Sequence, residues 1–296
     1  MSVNKRAGIF STIALVITAV FAAPSSAQDE FDVFASANAE NTQRISYSEF
    51  DEFLKTFGRE EKDRLVIYYR AMKPRGVAYL DSYTDALAKL TPSNFSKDEQ
   101  LAYWLNLRNI LIVRAIGAGS PGRSLKEERG DPSNPGEMWT RKRLSVEGVA
   151  MSIDDIEQKI ILRNFDNPNL VYGLYQGTKG GPVLSMKTFT GLSVNDALQS
   201  LGADFVNARR SVSVKSDTVK APAIYSWYKE ALFDGSDAAV IDHLRGLAEP
   251  KLHEKLASAT KLAPKKFSYS IDVFEVRQSP QVDLRGSSTS GLGSGS

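Results

Sequence analysis

The chain contains no cysteine. A disulfide framework, a thiolate nucleophile and a cysteine-ligated metal site are therefore excluded. Stability has to come from a hydrophobic core, which about 240 ordered residues can supply. Histidine is nearly as scarce. His243 and His253 stand in a charged stretch of helical pattern, off the usual zinc-ligand spacings, and read as surface residues.

A charge excess is also missing. The chain carries 37 basic and 35 acidic residues, a formal charge of +2. Removing residues 1–27 takes away Lys5 and Arg6 and no acidic residue, so the charge falls to zero. No basic field is left to hold nucleic acid or an anionic membrane. The run Arg141-Lys142-Arg143 is short enough to be a solvated face.

Long apolar runs are confined to the N-terminus, where Lys5 and Arg6 precede an apolar stretch from Ile9 to Ala23. It falls short of the roughly 20 apolar residues of a membrane-spanning helix. Ser25-Ser26-Ala27 supplies a small-x-small cleavage pattern, so residues 1–27 are expected to be a signal peptide cleaved before Gln28. The mature chain is then expected to be soluble and secreted or periplasmic, with no membrane span.

Cofactor motifs are equally thin. The Gly-rich turn QGTKGGPVL (176–184), with Lys179, has backbone N–H groups suited to an anion, but neither P-loop nor dinucleotide spacing. A plain loop serves it as well. NAENTQRISYSE (38–49) has Gln43 where a calcium loop needs glycine. No nucleophile elbow is present, and no cofactor is expected.

What is present is mostly helical. Helices are predicted near 45–57, 77–90, 97–117, 153–164, 193–209, 222–233 and 236–248. Two of them open on a capping-box pattern, Ser96 with Glu99 and Ser152 with Asp155. Shorter strand patterns lie at 143–150, 169–176, 211–215 and 267–276, and 117–140 reads as a long loop of the lid or binding-surface kind. The expected architecture is α+β, a mainly helical single domain over 41–278 with a small antiparallel sheet. Residues 28–40 are expected to be disordered and 279–296, ending GSSTSGLGSGS, a flexible tail.

Two segments carry chemistry out of place. YWLNLRNILIV (103–113) is apolar on every side of a helical wheel, the pattern of a buried helix, yet holds Asn106, Arg108 and Asn109. The two asparagines fall about 60° apart on one face. They can bond loop backbone and pin a core, or line a pocket. SIDDIEQKIILR (152–163) sets Glu157 between Ile153, Ile160 and Ile161, whereas Asp154 and Asp155 suit a helix start. A carboxylate on an apolar face needs a cation, several donors or a raised pKa. Arg108, Arg163 or the asparagine pair can supply partners. A structural ion pair and an acid/base or ligand-binding carboxylate both remain open.

The same segments resemble a known family. NFSKDEQLAYWLNLRNILIV is similar to the "EQLAFWINLYNALTV" signature of the domain of unknown function 547 family. LSVEGVAMSIDDIEQKIILRNFDNPNLVYGLYQGTKGGPVL resembles its "LSLDDIEHxILR…HFALVCxxxxCPPL" block, and IYSWYKEAL, with Trp227, its "lFxWYxxDF" element. YSIDV is weakly similar to its end. The resemblance spans about residues 45–275. By position it sets the family's asparagines on Asn106 and Asn109 and its helix carboxylate on Glu157. This chain has Gln158 and Val171 where the family shows histidines, Gln176 and Gly181 where it shows cysteines, and Arg108 in place of a tyrosine. Cys/His nucleophilic chemistry is not available to it.

Two functions are therefore expected to compete. One is a non-catalytic, pseudoenzyme-like domain that binds a small molecule, peptide or protein. The other is a hydrolase- or transferase-like enzyme with Glu157 as general acid/base and Asn106 and Asn109 as orienting donors. Arg108, Arg163, Lys179 and Trp227 complete the candidate residues.

Overall fold

A computed structural model of the protein describes residues 29–61, 64–119, 123–209 and 211–273. The expected signal peptide and C-terminal tail lie outside the described residues. From Phe31 onward the buried apolar side chains form one core, in an α+β fold dominated by helix with small sheets.

The centre of that core is the helix Lys97–Ala118. Being apolar all round, it has no face to offer water, and every residue from Glu99 to Val113 is buried. Helix Arg75–Ala88 and the segment Asp155–Ile161 pack along it. Of the two expected capping boxes only the second forms. The Ser152 N–H and hydroxyl donate to Asp155 Oδ2 (2.8 and 2.6 Å), and the Asp155 N–H returns to Ser152 Oγ (3.1 Å). Ser96 makes no such bond, because Glu99 is drawn away to the N–H groups of Ile45 (2.8 Å) and Gly191 (3.2 Å).

The segment after the Ser152 box is π-helical over Asp155–Ile161, and the N–H of Leu162 reaches back five residues to the Glu157 carbonyl. Single wide turns of this kind concentrate at functional sites. Here the turn sets Glu157 against the central helix.

Residues 143–150 are not one strand but a hairpin, Leu144–Val146 paired antiparallel with Val149–Met151. Its two turn residues, Glu147 and Gly148, both have positive φ (50° and 84°), as a tight two-residue hairpin requires. Glu147 tolerates this because its carboxylate is tied to the Ser93 N–H and hydroxyl (2.9 and 2.7 Å). Ser213–Lys215 pairs antiparallel with Thr218–Ala221, which pairs in parallel with Lys261–Pro264.

Four expectations fail for identifiable reasons. Residues 169–176 are not a strand: Leu170–Gly173 is a helical turn buried throughout, and an apolar run has no period to separate strand from helix there. Of the expected strand 267–276, the described residues 267–273 make single bridges at Ser270, Ile271 and Val273 with three different partners, and no regular ladder forms among them. The stretch within 28–40 is not loose, because Phe31 and Phe34 are buried, Phe34 edge-on to Trp104 at 4.9 Å. The 117–140 segment is not one long loop among its described residues. It contains the turns Lys126–Arg129 and Glu137–Thr140, and it buries Arg129 and Trp139.

Candidate functional site

Arg108 leaves the central helix and meets Glu157, which the π-helical turn aims inward. Nε of Arg108 donates to Glu157 Oε2 at 2.9 Å, and Nη2 donates to the same oxygen. The other oxygen, Oε1, accepts from the Tyr228 hydroxyl (2.7 Å) and from Gln158 Nε2 (3.2 Å). Each carboxylate oxygen thus accepts two hydrogen bonds, which fills the roughly four lone-pair sites of a carboxylate. The group is 1% exposed. Burial pushes its pKa up, but the charges of Arg108 and Arg129 and the Tyr228 hydrogen bond outweigh that, and the net shift is downward.

The rest of Arg108 is nearly as fully occupied. Nη1 donates to Asn109 Oδ1 (2.9 Å) and to the Tyr175 carbonyl (2.8 Å), while Asn109 Nδ2 donates to the Gly173 carbonyl (2.9 Å). Asn106 takes a separate course. It exchanges two bonds with the backbone of Phe189, Nδ2 to the carbonyl (2.8 Å) and the Phe189 N–H to Oδ1 (3.0 Å). Both asparagines pin backbone distant in sequence to the helix.

Behind Tyr228 the network continues. Gln176 Nε2 donates to the Tyr228 hydroxyl and the Leu174 carbonyl (2.9 Å each), and its Oε1 accepts from Arg129 Nε (2.9 Å). Arg129 is fully buried, with its guanidinium 4.9 Å from the Trp139 ring and 4.8 Å from the Trp227 ring. Cation–π contact and the Gln176 amide stand in for a direct carboxylate partner. Two buried guanidiniums therefore share one buried carboxylate. The half-buried Asp154 sits in the same electrostatic neighbourhood. Burial, then Glu157 and Asp155, push its pKa up to about 6 against the pull of Arg129 and Arg108.

Of the expected site residues, the structure joins Glu157, Arg108 and Asn109 directly, and reaches Trp227 through Arg129. It leaves out three. Asn106 turns to Phe189. Arg163 is paired at the surface with Asp32 (2.5 Å). Lys179 is exposed, its backbone N–H bound to the Ser270 carbonyl (2.9 Å). His243 is half-buried rather than a free surface residue: it stacks on Tyr172 (centroids 5.7 Å apart) and its Nε2 lies 2.9 Å from the Tyr172 hydroxyl. Sequence reasoning missed Arg129 and Trp139, which no periodicity marks within a polar segment. It also missed Tyr228, which stands in IYSWYKEAL beside the residue it singled out.

Residues 92–206 match the family model described as protein of unknown function, DUF547. Over this stretch the chain is similar to that family. The match takes in the central helix, the hairpin, the π-helical turn and the Gly-rich loop, and ends before the Tyr228 segment. Three of its residues, Gln158, Gln176 and Gly181, lie on or behind the Glu157 network. Gln158 bonds Glu157 directly, Gln176 reaches it through Tyr228, and a Cβ placed on Gly181 would stand 2.6 Å from the Gln176 Cβ. No curated protein and no solved structure matches the chain. Among the described residues no group of three or more His, Asp or Glu is placed to hold a metal, and no helix is long and apolar enough to cross a membrane.

Proposed function

We propose that the protein is an exported, non-catalytic binding domain of the pseudoenzyme kind, taking a small molecule, peptide or protein as its ligand. The observation that carries this reading is the saturated carboxylate of Glu157. A general acid or base needs a free lone pair or proton within reach of substrate. Glu157 accepts four protein hydrogen bonds and has almost no exposed surface. The amides at Gln158 and Gln176 supply neither nucleophile nor base, and both are spent on the network. Export is supported by the basic start, apolar run and cleavage pattern of residues 1–27.

The test is turnover. The purified chain is offered ester, amide, glycoside and phosphoester substrates beside Glu157→Gln, with folding of both checked by circular dichroism. No turnover that depends on Glu157 is expected. An activity present in the wild type and lost in a folded Glu157→Gln protein overturns the reading. Export is checked by sequencing the N-terminus of the protein recovered outside the cytoplasm, which should begin at Gln28.

A further inference from the structure

A cleft of about 480 Å³ opens at the C-terminal end of the central helix, between its last turn and the turns Lys126–Arg129 and Glu137–Thr140. Small-molecule sites span roughly 300–1,000 Å³. Charged side chains of both signs line it, and most of the cations are already matched. Arg141 pairs with Glu137, and Arg114 with Asp81.

Arg143 is not matched. It is half-buried, Nη2 donates to the Met138 carbonyl (2.7 Å), Nε is buried with no partner, and no ion pair holds it among the described residues. Burial and then the neighbouring Arg114 and Arg141 weaken its hold on the proton, and Glu137, itself paired with Arg141, offsets them only in part. Among the described residues no anion is bonded to Arg143 itself. Glu127 and Glu128 line the same cleft, likewise without an ion pair or side-chain hydrogen bond among the described residues. The carbonyl end of the central helix adds negative potential beside them. With Arg141 and Arg114 already paired, the cleft is left with one cation, Arg143, and two carboxylates, so a ligand carrying both charges suits it better than a simple anion or cation.

We infer that this cleft binds a small zwitterion, with its carboxylate on Arg143 and its ammonium group on Glu127 and Glu128. In chemical class the ligand is a free amino acid or short unmodified peptide. This rests on the reading of the protein as a binding domain and names the ligand class for it.

The experiment is isothermal titration calorimetry of the full chain with alanyl-alanine and lysyl-alanine, their C-terminal amides, their N-acetyl forms, and inorganic phosphate. The unmodified dipeptides should bind, and blocking either end should weaken binding by about tenfold or more, the loss of one charge-assisted contact. Arg143→Gln should abolish binding of the unmodified dipeptides. The Glu127→Gln/Glu128→Gln double variant, altered at the rim, should weaken them and not their N-acetyl forms. If Arg143→Gln fails to fold, Arg143→Lys and the double variant carry the test. Absence of dipeptide binding at millimolar concentration, equal binding of the blocked forms, or phosphate binding as tightly as the dipeptides overturns the assignment. Such a failure leaves the sealed Glu157 pair untouched, since that is judged by turnover.

Discussion

Arg108 and Glu157 stand 49 residues apart in the chain and meet through two hydrogen bonds to one carboxylate oxygen, both side chains withdrawn from water. Attraction between them is strong at that depth, but so is the cost of desolvating each. The pair is held because nearly all of its remaining donors and acceptors are used, by Asn109, the Tyr175 carbonyl, Tyr228 and Gln158.

Removing both partners should therefore harm less than the two single removals added together. Glu157→Ala leaves a buried guanidinium uncompensated and is expected to cost about 3–5 kcal/mol in urea unfolding. The double variant Arg108→Met/Glu157→Leu should cost less than the sum of the two single changes. Additive losses would mean that the two side chains do not act as a pair.

Asp154 should oppose folding at neutral pH. Its folded pKa, about 6, lies above the ordinary carboxylate value of 3.8. The protonated form is favoured in the folded state, so the contribution is fully present below the unfolded pKa and is lost as pH rises through the folded one. Asp154→Asn is expected to raise the melting temperature at pH 7.5 by about 2 °C, solvent screening at this half-buried position keeping the gain small. The difference should vanish by pH 4. A gain that persists at pH 4 would point to a cause other than charge.

His243 should limit stability in acid. Burial pushes its pKa down to about 4 from 6.5, so the neutral ring is favoured in the folded protein. Its contribution is present above the unfolded pKa and fades as pH falls toward the folded one. His243→Gln should flatten the decline of melting temperature between pH 6.5 and 4, and the ring resonances of the wild type should titrate near the lower value. Titration at the unperturbed value would contradict the stacking of His243 on Tyr172.

Two glycines make a matched pair. A Cβ at either Gly148 or Gly246 meets nothing within 4 Å, so no clash enters. Gly148 lies at φ 84° in the hairpin turn, and Gly148→Ala should destabilise by about 1 kcal/mol. Gly246 lies in the helix Asp237–Leu247, and Gly246→Ala should stabilise by about 0.5–1 kcal/mol. Both values are read from denaturant midpoints, and equal signs would defeat the argument.

The sequence by itself determined that Lys97–Ala118 is a helix and that it is buried, because apolar residues at every angle of the wheel leave no solvated side. It also determined the Ser152–Asp155 start, because a capping box is closed by residues three apart. Which polar groups meet inside was decided only by the tertiary structure. Asn106 and Asn109 share a face of one helix, yet one bonds Phe189 and the other Gly173, 83 and 64 residues away. Arg129 lies in a segment with no apolar period, and two tryptophans far apart in the chain bury it. Local periodicity records how much of a segment is hidden from water. The partner of a buried charge is set by which distant backbone the packing brings within hydrogen-bond reach, and no spacing along the chain encodes that.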